Sequence, residues 1–376
     1  MRPVDIPAEE APPEPDKLDA APHPREAAAL YGQEAAEAAF LEAFNTGRLH
    51  HGWMLTGPKG IGKATLAWRI ARFLLATPPQ DDGGLFGAPP PPESLEIDPE
   101  HPVARRILAR AEPGLFSLTR SAVESTGRMS REIRIDDVRR LRGFFSMSAS
   151  DGGRRVVIVD AADEMNISAA NAILKLLEEP PKDATLLLVT HQPTRLLPTI
   201  RSRCRVLPCQ PLSPADLGSA LTQAGLAPEN PDALTALADG SVGAAVRLET
   251  EGGPALYAAL LALLGTLPRM DRAALGKLSG AMAGTGGQDQ LALTLDLLDI
   301  LLARLARTGL LGAPKPEAAP REAETLRALS PDARAARRWA ELAARLTTRA
   351  RQGAAVNLDP QSLIFDTMLK IETEAA

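Results

Sequence analysis

Cysteine is nearly absent from this chain of 376 residues, which has only Cys204 and Cys209. Two thiols cannot build a four-Cys zinc site, and they give no sign of a disulfide framework, so both read as reduced thiols. Aromatic residues make up only 3% of the sequence, while Ala and Leu dominate the C-terminal half. That bias favours helix. No apolar run approaches a membrane span, so no membrane partner is expected. An excess of positive charge is missing too: the formal net charge is −5. A broad basic surface that grips nucleic acid unaided is therefore not expected, though a local basic patch is allowed. The opening "MRPVDIPAEEAPPEPDKLDAAPHPRE" has no apolar core and is not a secretory signal. It reads as a disordered leader over residues 1–24, with a cytoplasmic location expected for the whole. The histidine pair His50-His51 has no Cys or carboxylate cluster around it and reads as loop.

What is present is an ordinary soluble composition, 45% hydrophobic and 24% charged, long enough for two to three domains. Apolar residues recur at helical spacing from Ala27 to Phe44, and "WMLT" reads as a short buried strand. A glycine-rich loop follows, then a helix with Leu66, Ile70, Phe73 and Leu74 on one face, ended by Pro78-Pro79. The stretch "PPQDDGGLFGAPPPPESLEIDPEHP" is turn-rich and of low complexity. "LFSLTR" and "REIRI" are predicted strands, and Asp136 or Asp137 can cap the next helix. "RRVVIVD" is a buried strand ending in an acid. A helix opened by Ser168 and stopped by Pro180 precedes the buried strand "ATLLLVT", and "RVLPC" reads as a last short one. Alternating strands and helices over residues 25–210 imply a parallel sheet covered on both faces, which binds ligands at the carboxyl ends of its strands. Three short helices are expected over 211–252, the first with Ser213 as N-cap and Pro214 at its first position. Helices throughout are expected over 253–376.

The chemistry begins at "GPKGIGKAT". Successive backbone N–H groups at a helix N-terminus can wrap a phosphate, glycines permit the close approach, and a lysine reaches the outer phosphates. Gly57, Gly60, Gly62 and Lys63 satisfy this pattern. The next position should supply a magnesium-holding hydroxyl, but it is Ala64. Thr65 comes one step late, where a helical residue points about 100° away. Asp160, at the tip of an apolar strand, is the natural acid to orient Mg²⁺ or its water. The glutamate that polarises water in hydrolytic sites is replaced by Ala161. Asp163 and Glu164 read as solvated loop acids, and Thr190-His191 as a strand-end turn. At the end of the sheet domain, "RSRC" presents Arg201, Arg203 and Arg205. Taken alone it is a solvated basic edge, although an arginine there can reach a neighbouring subunit's phosphate. Arg131, Arg134, Arg139, Arg140 and Arg142 read either as a DNA-facing cluster or as a solvated face.

Together "GRLHHGWMLTGPKGIGKATLA", "SAANAILKLLEEPPKDATLLLVTHQPTRLLPTIRSRC" and the late "NLDPQSLIFDTMLK" resemble the delta-prime family of the bacterial DNA polymerase III clamp loader. The resemblance covers residues 24–250 well and the C-terminal helices weakly. It implies an AAA+ fold: a RecA-like α/β module at 25–210, a helical lid at 211–252 and a helical collar for oligomerisation at 253–376. It also implies a heteropentamer with delta and tau or gamma subunits that loads a sliding clamp onto primed DNA. Within it, the Ser202-Arg203-Cys204 motif would supply Arg203 in trans to a neighbour's ATP. Ala64, Ala161 and Gly243, which stands where an ATPase lid carries a sensor arginine, imply a subunit without turnover of its own. ATP or ADP binding without hydrolysis stays open, and no cofactor is required. The family's four-cysteine module is replaced by "DDGGLFGAPPPPES", so no zinc is expected. An ATP-hydrolysing subunit of the tau or gamma type and a stand-alone P-loop nucleotide hydrolase are the alternatives.

Overall fold

The structure is a computed structural model. It describes residues 14, 15, 17, 20–77, 90–123, 129–146, 153–284 and 286–375. Most of the expected leader and residues 78–89 of the Pro-rich stretch lie outside the described residues. Two compact units are present, Met1–Gly225 and Leu226–Ala376.

The first unit is built on five strands, β1 (Gly52–Thr56), β2 (Leu115–Leu118), β3 (Arg155–Asp160), β4 (Ala184–Thr190) and β5 (Arg205–Pro208). They lie in the order β2-β3-β4-β1-β5, and every pairing is parallel. Parallel strands need crossover connections, and the chain supplies helices for them. α1 (Glu34–Asn45) precedes β1, the connections hold α2 (Lys63–Ala76), α3 (Pro102–Leu108), α4 (Ile135–Ser146), α5 (Ile167–Glu178) and α6 (Pro198–Arg201), and α7 (Pro214–Gln223) follows β5. β4 is buried along its whole length, as a central strand covered on both faces must be. Phe40, Trp53, Leu66, Ile70, Phe73, Val157, Ile173 and Leu188 are at most 1% exposed and form much of the core.

Several local expectations change. The first helix starts at Glu34 rather than Ala27. Residues 27–33 before it are not helical; Gln223 bonds both backbone groups of Ala29, accepting from its N–H at 2.7 Å and donating to its carbonyl at 3.1 Å. "REIRI" is not a strand. Ile133 makes one bridge to Met165 and α4 begins two residues later. Asp137 accepts from the Arg134 N–H at 2.9 Å and so caps α4. α5 is capped by Asn166, whose Oδ1 accepts from Ala169 N at 2.9 Å, and not by Ser168. α3 was not predicted; His101 caps it within the tail of the Pro-rich stretch. His23, at the end of the expected leader, is 2% exposed and packs edge-on against Trp68.

The second unit is helical: α8 (Pro231–Ala238), α9 (Val242–Thr250), α10 (Gly253–Leu264), α11 (Arg272–Gly280), α12 (Gly287–Leu311), α13 (Glu322–Leu329), α14 (Ala333–Ala355) and α15 (Pro360–Ala375). Thr347 and Arg351 bond Asp299, while a side chain on Gly309 would strike Asp332, so α12 and α14 run antiparallel. Inside this unit Glu322 is fully buried, with Arg304 Nε at 2.6 Å and the Tyr257 hydroxyl at 2.5 Å. A buried charge is tolerated only when paired and hydrogen-bonded in this way.

Candidate functional site: a phosphate loop and an edge arginine

β1 runs straight into the glycine loop, and Gly62 is the N-cap of α2. Gly57 has φ +143°, and a Cβ there would lie 2.6 Å from the Cys209 carbonyl oxygen. Gly62, at φ +95°, is likewise in a region that L side chains rarely adopt,. The loop is pinned from outside by Gln33, a residue no sequence pattern singled out. Its Nε2 donates to Ile61 O at 2.9 Å and to Gln210 O at 2.8 Å, and its Oε1 accepts from Gln210 N at 3.1 Å. A lone glutamine before a helix carries no signal of this role.

Lys63 is 2% exposed. Its Nζ donates to the carbonyls of Gly57, at 2.8 Å, and Pro58. Burial pulls its pKa down to about 8, against the opposing pull of Cys209, Asp160 and Asp163. Ala64 and Thr65 are both half-buried on the first turn of α2. Asp160 pairs in register with Val189, which pairs with Leu55. The acid, the loop and Thr190 therefore share the carboxyl end of the sheet.

Asp163 is not a solvated loop acid. It is 9% exposed, and its Oδ1 accepts from His191 N at 3.0 Å. Burial pushes its pKa up, but hydrogen bonding led by the His191 amide outweighs this and leaves the pKa below the ordinary value. The short turn after β3 thus folds back to hold the end of β4. Glu164 is not a solvated loop acid either, because Arg120 Nε stands 2.8 Å from its carboxylate. His191 is itself driven down to about 4 by burial and by Lys63, so its ring is neutral at physiological pH.

The Ser202-Arg203-Cys204 motif follows α6 and leads into the edge strand β5. A Cβ on Gly52, the first residue of β1, would come 3.2 Å from Arg203 O and 3.4 Å from Cys204 Sγ. The motif therefore sits at the amino end of β1, and the phosphate loop at the carboxyl end. Arg203 Nη2 lies 3.0 Å from Glu178 Oε1, and its Nη1 donates to Thr199 O at 3.1 Å. Cys204 packs against the hydrophobic core, and burial pushes its thiol up to about 12. Arg205 lies over the Trp53 ring, 5.1 Å from its centroid.

The other arginines do not act as one cluster. Arg134 bonds Ser121 and Ala122, Arg139 pairs with Asp136 at 2.7 Å, and Arg140 lies over the Phe116 ring. Arg131 and Arg142 are exposed. In the second unit, Gly243 sits in the first turn of α9. Arg247, one turn later, is held by Glu251 at 3.1 Å and by Asp296 at 2.8 Å.

A parallel sheet with its strands in the order 5-1-4-3-2, and a phosphate loop between β1 and α2, makes the first unit a RecA-like AAA+ module. Residues 32–213 match the family described as DNA polymerase III, delta subunit. The DNA polymerase III subunit delta' of Pseudomonas aeruginosa is 39% identical over 54% of this chain and 56% of its own length. A DNA polymerase III subunit gamma/tau from Mycobacterium bovis is 30% identical over 53% of this chain and 31% of its own. A solved DNA polymerase III gamma subunit-related protein from Thermotoga maritima is 17% identical, covers 90% of this chain and 100% of that one, and has a TM-score of 0.38. The chain spans about half or less of the length of the two curated relatives. Over the matched stretch the chain is similar to the delta' and gamma/tau subunits of DNA polymerase III.

Proposed function

We propose that this chain acts as the delta-prime subunit of a DNA polymerase III clamp loader. In this reading it assembles with delta and with tau or gamma subunits in a heteropentamer. It turns over no ATP itself and places Arg203 against the ATP of a neighbour. The observation that carries the reading is the placement of Arg203. Five residues of strand separate it from the chain's own phosphate loop, about 16 Å at the usual strand rise. An arginine side chain does not bridge that span, so the phosphate it meets belongs to another subunit. There its permanently charged, planar fork stabilises the charge that develops on the transferring γ-phosphoryl group.

The chain's own loop fits a phosphate. Gly57, Gly60 and Gly62 all take positive φ, the turn conformations such a loop needs, and Lys63 is buried beside them. It fits the hydrolytic metal poorly, because Ala64 has no side-chain hydroxyl to offer and Ala161 no carboxylate. A nucleotide held here would supply phosphates to the cradle, and Lys63 would hold them. Asp163 contributes to this end of the sheet by fixing β4 rather than by activating water.

The test is ATP turnover by the purified chain alone. The expected result is none above background, unchanged in Lys63→Ala. Turnover that Lys63→Ala abolishes would overturn the reading in favour of an ATP-hydrolysing subunit of the tau or gamma type.

A further inference from the structure

We infer that Glu178 is the positioning residue of Arg203; the inference rests on the reading that Arg203 acts on a neighbour's phosphate. Glu178 is the last residue of α5. A carboxylate is disfavoured at that end of a helix, where the carbonyls carry partial negative charge, unless a cation faces it. Arg203 is that cation, with Nη2 3.0 Å from Glu178 Oε1. The other arm of the fork donates to Thr199 O at 3.1 Å, so the two Nη atoms are tied to two different helices.

The base that carries Glu178 is fixed. Ile173 and Leu177 of α5 are at most 2% exposed. The carbonyl of Leu177 is held by His51 Nε2 at 3.0 Å, which ties the last turn of α5 to the start of β1. On the arginine side, Arg203 N donates to Ile200 O at 3.1 Å, and Cys204 packs into the core beside it. Both side chains remain part-exposed, 38% for Arg203 and 42% for Glu178. An ion pair this exposed adds little to folding stability. Its effect is on geometry: it selects one rotamer of a long side chain and fixes the plane of the guanidinium. A charge held in place before the reaction needs no reorganisation during it.

The experiment uses the reconstituted complex with delta, tau or gamma, clamp and primed DNA, and follows its DNA-stimulated ATPase. Glu178→Ala should lower kcat by roughly three- to tenfold, less than the 10² a 1 Å misplacement can cost, because Thr199 still holds one arm. KM for ATP and assembly should not change. Glu178→Gln keeps an acceptor oxygen and should recover most of the loss. In an Arg203→Ala background, Glu178→Ala should have no further effect. An unchanged or raised kcat in Glu178→Ala beside an impaired Arg203→Ala would overturn the inference and leave the role of Arg203 standing. An equal loss in both backgrounds would show a general structural effect and overturn it as well. A fully active Arg203→Ala complex would remove both claims together.

Discussion

Replacing Asp163 tests whether the two strand ends beside the phosphate loop are joined as described. Asp163→Ala leaves the His191 N–H without its acceptor at 3.0 Å, at a site only 9% exposed. A hydrogen bond to a charged group contributes about 1.5–3 kcal/mol, so a loss of about 2 kcal/mol is expected. Asp163→Asn retains an acceptor and should cost about 1 kcal/mol, the value of a neutral bond. Urea unfolding followed by tryptophan fluorescence reports this, since Trp53 and Trp68 lie in the first unit. With a slope of about 2 kcal/mol per molar, the alanine variant's midpoint should fall by about 1 M. The pH dependence has a definite sign. The carboxylate pKa is lower in the folded state, so its contribution is present above the unfolded value of about 3.9 and is lost as pH falls through the folded one. The gap between the wild-type and alanine proteins should stay constant from neutral pH to about pH 5 and close below about pH 4. Asp163 also raises the His191 pKa, so removing it keeps that ring neutral at every pH above about 4. Equal urea midpoints for wild type and Asp163→Ala would refute the link.

Three further outcomes are expected. Gly57→Ala drives a Cβ against the Cys209 carbonyl and should destabilise the first unit by about 1–3 kcal/mol, the usual cost of overpacking; an unchanged urea midpoint would contradict the loop geometry. With their thiols pushed up to about 12 and about 11 by burial, Cys204 and Cys209 should resist iodoacetamide at pH 8 until the chain is unfolded, and rapid labelling of the native protein would show otherwise. Arg304→Met strands the buried Glu322 carboxylate and should destabilise the second unit by about 3–5 kcal/mol, read at Trp339; a neutral effect would mean that the Tyr257 hydroxyl and the Ala318 N–H, which also donates to Glu322, suffice to hold it.

Much of the first unit was legible because its strands are continuous apolar runs and its loop has a fixed spacing. Ser213 caps α7 as its position before Pro214 suggests. What escaped depended on partners distant in sequence. Residues 27–33 carry good helix formers, but the Ala29 backbone groups are taken by Gln223 instead of by helical partners. "REIRI" alternates like a strand, yet the Asp137 cap starts a helix inside it. Asp163 was misread because its acceptor role is set by the turn that brings it to His191, 28 residues on. Gln33 carries no motif, and Glu178 lies in a block that shows a resemblance without showing its role; both roles emerge only where a loop or a guanidinium lies beside them. The basic residues of α4 looked like a cluster in sequence, but Arg139 and Arg140 turn to local partners.

The most direct test of the account is the DNA-stimulated ATPase of the complex assembled with Arg203→Ala. An arginine supplied in trans to a phosphoryl-transfer site contributes about 10³–10⁵ in rate there. The account predicts a severe loss of ATPase and clamp loading in a complex that assembles normally. Full ATPase in the assembled variant would contradict it.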